Sequence, residues 1–503
     1  ARWMNAALVG LLILQDSEGF LAGTNSYRYS LRKSAEGNSN SEMREVTESS
    51  EEGEYRNYNT EDSDKDRTSN SINRRRLFQM ATTSTIGGML PTLPSMAASP
   101  SGDVLVPTPA FDRDMYYPLG KVAFSLLPLA GTKRRATIEE CIIPNQMWTH
   151  DQIQGVFDIN VPVRQTVIKL SKESGGGLWV HNPVAPTKQL MKYMTNLEQQ
   201  HGPVRHIVLG TVALEHKATI GDFARKFPEA TVWIQPGQWS FPFPISLELL
   251  GVPQRKNRGT LRELPSLLTT PTTKTNKKRA VELPEWMTDI DYEILGPFQF
   301  QSVGAFSETA FFHKSTETLL VTDTVVSASA DPLPIIEEDP RGLLFLARDN
   351  ATDPTVLQEG NTKELRRKGW RRMVQLGLVF FPSRIGRISS LGEAINDASR
   401  LPMEYQNLGD GNVPLRLYPF NWDPNDADLE NFKVLTKNGD MFCPPILTKL
   451  ILNREPVATL AWVDKVSTRF PNMKRIISCH LNNNISVSSS KEFSKAFDTL
   501  RDE

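Results

Sequence analysis

Between residues 178 and 234, short apolar stretches alternate with helical ones, and this alternation restricts the fold more than any other feature of the chain. Leu178–His181, Val204–Leu209 and Ala230–Ile234 read as strands. Thr187–His201 reads as a helix with Leu190, Met191, Met194 and Leu197 on one face, and Thr219–Phe227 reads as a second helix. Strands separated by helices at this spacing make βαβ units, so the expected class is α/β. Upstream, Ile153–Val163 and Arg164–Leu170 read as further strands, and Gly175-Gly176-Gly177 as the turn before Leu178. Downstream, Ala310–Lys314 and Thr318–Thr322 suggest a hairpin. The chain closes with an expected helix Pro456–Val466, strand Arg475–Ser478 and helix Lys491–Leu500. Residues 253–283, rich in Pro, Thr and basic side chains, read as a surface insertion. Residues 330–450 read as a helical connecting region carrying the basic helix Lys363–Leu376.

The first 98 residues read differently. Ala6–Leu14 is a short apolar run with Arg2 ahead of it, as in a signal peptide or a short buried element. Residues 24–72 are rich in Ser, Asn, Glu and Asp and cannot bury enough apolar surface to offset the entropy of ordering. Arg74-Arg75-Arg76 then precedes a mildly apolar stretch that ends in Ser95-Met96-Ala97, the order of a twin-arginine signal. Residues 1–98 are therefore expected to be a targeting and disordered leader, of the kind that delivers a protein to a plastid and its thylakoid lumen. Residues 99–503 are expected to be one globular domain.

Composition excludes several classes. The chain carries 57 Lys+Arg against 58 Asp+Glu, and this balance gives no hint of nucleic acid. Its three cysteines, Cys141, Cys443 and Cys479, stand far apart without a CxxC, which excludes a Cys-rich zinc site. No apolar run reaches the ~18 residues of a membrane span.

The segment that bears on chemistry is Gly210-Thr211-Val212-Ala213-Leu214-Glu215-His216, which follows an apolar strand and precedes a helix. In metallo-β-lactamase-like proteins this junction carries His-x-His-x-Asp-His, and the chain resembles them here. Thr211 and Ala213 stand where the first two His would be, and Glu215 and His216 where Asp-His would be. The stretch Glu308–Val325 resembles the hairpin that leads to a bridging aspartate, which maps onto Asp323, with Ser307 near another first-site His position. The stretch Arg475–Asn484 resembles the terminal strand and its histidine, which maps onto His480. The stretches Arg164-x-Thr-Val-Ile-x-Leu, Leu178-Trp-Val-His-Asn-Pro-Val184, Gly202-Pro-Val-Arg205, Phe227-Pro228-x-Ala230, Pro236-Gly237 and Trp462-Val463-Asp464 resemble more specifically the family called domain of unknown function 4336.

The resemblance implies a four-layer αββα sandwich. It also implies a metal site stripped at its first position and retaining Glu215, His216, Asp323 and His480 at its second. Such a set suits one divalent ion, zinc, manganese or iron. Each residue also has a plainer reading. His216 would be a structural histidine, His480 a cap on the loop Asn482–Asn484, and Asp323 a turn residue. Cys479 is expected in packing, and His181 to bond backbone, the alternative being that it orients the site from behind the ligands. Two functions follow. One is a non-catalytic binding or assembly factor, with the basic helix and the insertion as surface for a protein partner. The other is a hydrolase that holds one ion and acts on an ester, lactone, thioester or phosphoester, with Asp323 orienting or deprotonating the water.

Overall fold

The structure is a computed structural model that describes residues 114–115, 134–156, 159–238, 261–266, 283–300, 304–379, 386–388, 390–400, 418–422 and 427–501. All of these belong to one unit that covers Val104–Glu503. The leader and most of the 253–283 segment lie outside the described residues.

Seven strands form the first sheet in chain order: β1 (Ile138–Ile143), β2 (Met147–Val156), β3 (Ile159–Lys169), β4 (Leu178–His181), β5 (Val204–Leu209), β6 (Thr231–Ile234) and β7 (Leu261–Glu263). Strands β1 to β4 are antiparallel, and β4 to β7 are parallel. The switch follows from the connections. The helix α1 (Lys188–His201) carries the chain back between β4 and β5, and α2 (Leu214–Lys217) and α3 (Ile220–Lys226) do so between β5 and β6. The turn before β4 needs glycine: Gly177 has φ +75°, and a Cβ there would meet the Pro203 carbonyl oxygen at 2.4 Å.

Two expectations change here. Ile153–Val163 is not one strand, because Val156 of β2 pairs with Ile159 of β3 and the chain reverses between them. Gly155 and Asp158 are turn-type residues near that reversal, but the sequence holds no Asn-Gly or Asp-Gly pair there, so the hydrophobic pattern reads straight through it. Within the 253–283 segment, Leu261–Glu263 forms the edge strand β7 beside β6.

The second sheet has five strands in the order β8 (Ile290–Phe300), β9 (Gly304–His313), β10 (Thr318–Val321), β11 (Arg475–Ser478) and β12 (Ile485–Ser486). Only the β10–β11 pair is parallel.

Alternation along the strands sorts the side chains into layers. Leu178 and Val180 of β4 face outward with Leu190, Met194 and Leu197 of α1 and Phe223 of α3. Trp179 faces inward, where its ring lies 5.9 Å from that of Trp286 and 5.3 Å from that of Phe311. Fully burying one such side chain stabilises by about 1.5–3 kcal/mol. On the far side, Phe312, Leu319 and Ile476 of the second sheet pack under Trp462, Val463 and Val466. The layers are therefore α, β, β and α, the sandwich that the resemblance implies. The expected helix Pro456–Val466 runs to Arg469, and the expected helix Lys491–Leu500 is two short helices, Ser490–Lys495 and Asp498–Arg501.

The helical region has its own core around Trp370, Met373, Tyr418 and Trp422. There α4 (Arg341–Ala347) touches α5 (Lys363–Val379) backbone to backbone, because a Cβ on Gly369 would lie 1.9 Å from the Leu343 carbonyl oxygen. The basic residues of α5 are engaged within the domain. Arg367 pairs with Asp331, Lys368 with Asp349 at 2.9 Å, Arg371 with Asp428 at 3.3 Å, and Arg372 with Asp349 at 2.5 Å. The surface that this helix offers is therefore one of paired charges. Among the described residues, no helix is long and apolar enough to cross a membrane.

Candidate metal centre

The sandwich brings three loops to one edge. The chain leaving β5 does not turn straight into a helix but lies against β9 of the other sheet. Thr309 N–H donates to the Gly210 carbonyl at 2.8 Å, Val212 N–H donates to Ser307 at 3.3 Å, and Thr211 bridges Glu308. The single turn α2 that follows presents Glu215 and His216. Asp323 lies two residues beyond the end of β10 and His480 two beyond the end of β11. These strands are parallel neighbours, so both residues emerge at the same end.

Glu215, His216, Asp323 and His480 each offer one donor atom, and all four atoms lie within 4.8 Å of one another. His480 Nε2 is 3.0 Å from His216 Nε2 and 2.8 Å from Asp323 Oδ1, while His216 Nε2 is 3.9 Å from Asp323 Oδ1. Metal–ligand bonds of about 2.1 Å give a tetrahedral edge of about 3.4 Å, in the middle of these separations. Two carboxylates against one small volume favour a divalent cation between them, and oxygen and imidazole donors together suit such an ion. The donor set therefore fits the ion that the resemblance implies.

The electrostatics of the group follow from the same distances. Burial opposes a charge on His480, but its hydrogen bond to Asp323 and the charges of Asp323 and Glu215 outweigh this and raise its pKa. Burial likewise pushes Asp323 up, yet the hydrogen bond and charge of His480, then His216 and the Thr211 hydroxyl, hold it below its ordinary value. Burial and then His480 push His216 down to about 3. Burial and then Asp323 push Glu215 up to about 7.

Buried polar side chains hold each of these loops by its backbone. Asn182, at φ 44°, accepts from Gly210 N–H at 2.9 Å and donates to the Thr322 hydroxyl at 2.9 Å and to Cys479 Sγ at 3.3 Å. It thus touches all three segments that carry the four converging residues. Arg164 is locked by a two-point contact with Asp151 at 2.7 and 2.8 Å, and it donates to the carbonyls of Ser478 at 2.6 Å and Leu481 at 3.0 Å, on either side of His480. Glu308 accepts from Thr322, Asp323 and Thr324. Sequence reasoning gave none of these residues a role. The available signals were a charged Arg and a charged Glu within predicted or neighbouring strands, which demand partners once buried.

The first-site positions are turned to other uses. Thr211 bonds Asp323, and Ala213 has no side-chain donor or acceptor. Ser307 donates to the Leu295 carbonyl at 2.9 Å and accepts from Gln235, which itself accepts from Thr309. A neutral hydrogen-bonded cluster thus occupies Ser307. Cys479 is buried, as expected of a packing residue. His181 departs from its expected backbone bond, because neither of its ring nitrogens has a hydrogen-bond partner. Burial and then His216 hold it down to about 3, so it stays neutral. Gly210 gives it room, since a Cβ there would lie 2.7 Å from His181 Nε2 and 2.9 Å from the Phe311 ring.

No curated protein matches the chain. Among solved structures, it is similar to a metallo-β-lactamase from Pontibacter korlensis, at 11% identity and a TM-score of 0.30 over 73% of this chain and 100% of that one. It is also similar to the DIM-1 metallo-β-lactamase exposed to ceftazidime, at 10% identity and a TM-score of 0.25 over 48% and 97%. A third is the metal-soaked Flv1 flavodiiron core from Synechocystis sp. PCC6803, at 11% identity and a TM-score of 0.25 over 53% and 67%. The family described as domain of unknown function (DUF4336) matches residues 144–499, which is most of the chain, and the chain belongs to it.

Proposed function

We propose that this domain binds one divalent ion, zinc, manganese or iron, through Glu215, His216, Asp323 and His480, and that it serves as a non-catalytic binding or assembly factor. The observation that carries this is the number of protein donors. Four converge, which fills a tetrahedral shell, whereas catalytic zinc sites use three protein ligands and keep the fourth position open. The neutral cluster at Ser307 and the absence of a side-chain donor at Ala213 support a single ion. The test is to assay the metal-loaded chain against an ester, a lactone, a thioester and a phosphoester. The proposal expects no turnover above free metal with any of them, and turnover abolished by His480→Ala would overturn it.

One observation favours the second reading, a single-metal hydrolase. The side chains of Asp323 and His480 keep 19% and 12% of their exposure, so solvent reaches the centre. A bound ion supplies Lewis acidity there. Asp323 would then orient a water or accept its proton, while Glu215, His216 and His480 hold the ion. The proposal extends to location. The Arg74–Arg76 stretch and the Ser95-Met96-Ala97 end support delivery to the plastid, in the thylakoid lumen, with residues 1–98 removed. Amino-terminal sequencing of the native protein tests this, and a chain still carrying Arg74–Arg76 would refute it.

A further inference from the structure

We propose that Glu308 is a positioning residue for the metal centre, which sets the Asp323 turn and the loop leading to His216 in one register. The inference rests on the reading of Glu215, His216, Asp323 and His480 as metal ligands. The Glu308 side chain is fully enclosed, with 0% of the residue exposed. Its Oε1 accepts the N–H of Thr322 at 2.8 Å, the N–H of Thr324 at 3.3 Å and the hydroxyl of Thr324 at 2.7 Å. Its Oε2 accepts the N–H of Asp323 at 3.0 Å. One carboxylate thus takes every backbone donor of three consecutive residues, with the ligand in the middle.

The backbone of the same residue does a second job. Glu308 bridges Thr211, and the next residue bonds Gly210, so the segment running on to His216 is registered by the strand that registers Asp323. A buried carboxylate is a costly way to cap a turn if capping is all it does. Glu308 and Asp323 repel one another, a cost that a neutral Asn or Ser acceptor would avoid. A cation between Glu215 and Asp323 offsets that cost, because it neutralises the Asp323 charge that repels Glu308. The arrangement therefore makes physical sense around an ion and is wasteful without one.

The experiment compares the full chain with its Glu308→Gln variant. Gln has the same shape. Its amide oxygen can keep the donors now on Oε1, while its amide nitrogen faces the Asp323 N–H, so one hydrogen bond and one charge are lost. Zinc affinity is read by competition with a chromophoric chelator, and the metal-free melting temperature is read alongside it. The visible spectrum of the cobalt-loaded chain reports the ligand geometry. Glu308→Gln is expected to lose about 10–100-fold in zinc affinity at a temperature where it remains folded, with an altered cobalt spectrum. Zinc affinity and cobalt spectrum equal to the parent's, with only a lower melting temperature, would make Glu308 a turn cap and overturn the proposal. A parent that binds no zinc would instead remove the metal centre itself, and this inference with it. If Glu308→Gln does not fold, Thr324→Val decides. It removes only the hydroxyl donor, and a smaller loss of affinity supports the proposal while unchanged affinity overturns it.

Discussion

The Nδ1–H of His480 donates to the carbonyl oxygen of Pro162 at 2.8 Å. A carbonyl oxygen only accepts, so this bond fixes the proton on Nδ1 and turns Nε2 toward His216 and Asp323. Pro162 has no N–H to offer a neighbouring strand. It sits in the part of β3 that runs past β4, where β3 pairs with β2 alone, and that side of the strand faces the loop of His480. If His480 is a ligand, His480→Ala should weaken zinc binding by more than about 100-fold, beyond the usual effect of an outer partner. His216→Ala should do the same. Titration calorimetry on the metal-free chain measures both, and parent-like binding by either variant would remove that residue from the ligand set.

Asn182 offers a test of how the loops are held. Asn182→Ala leaves the buried Gly210 N–H without its acceptor, which costs about 1–3 kcal/mol in addition to the strain of alanine at φ 44°. Denaturant unfolding of the metal-free chain should show that loss, and zinc affinity should fall with it. Unchanged stability would mean that the three segments are held by other contacts.

Gly210→Ala tests the close approach beneath the centre. The new methyl would overlap His181 Nε2 and the Phe311 ring, and relieving such overpacking costs typically about 1–3 kcal/mol. Because Gly210 and Thr309 share a hydrogen bond, the shift should carry into the His216 loop. The variant should melt at a lower temperature and bind zinc more weakly, and a parent-like melting curve would contradict the stated packing.

The fold was legible where local pattern and tertiary role agree. Leu178–His181 and Val204–Leu209 are strands with the expected ends, because apolar runs bounded by a glycine turn and by helices leave little choice. The reversal between Val156 and Ile159 was not legible, since Gly155 and Asp158 stand there without the Asn-Gly or Asp-Gly pair that marks a tight hairpin. Nor was strand β7, whose three residues gain their identity only by pairing with β6. The four candidate ligands could be named only through the family resemblance. No local rule brings Glu215 and His480, from the ends of different sheets, within reach of each other. The basic run Lys363–Leu376 looked like a surface because sequence does not show that Asp331, Asp349 and Asp428 come to meet it.

Two histidines away from the centre give a pH signature. Burial pushes both His206 and His313 down to about 4, against an unfolded value near 6.5. Between these values the unfolded chain binds more protons, so stability is present above about pH 6.5 and is lost as the pH falls toward 4. His206→Gln and His313→Gln should each remove part of this loss. Between pH 7 and pH 5 the parent should lose on the order of 2 kcal/mol more than either variant. Identical pH profiles for parent and variants, followed by denaturant unfolding, would show that these rings take up protons without penalty.

Elemental analysis of the purified full chain after loading and desalting tests most directly whether one ion sits at one position. One equivalent of zinc, manganese or iron per chain is expected, lost in the His216→Ala and His480→Ala variants. Two tightly held equivalents would show that the first position still binds despite Thr211, Ala213 and Ser307, and no metal at neutral pH would show that the four converging side chains are not a metal centre.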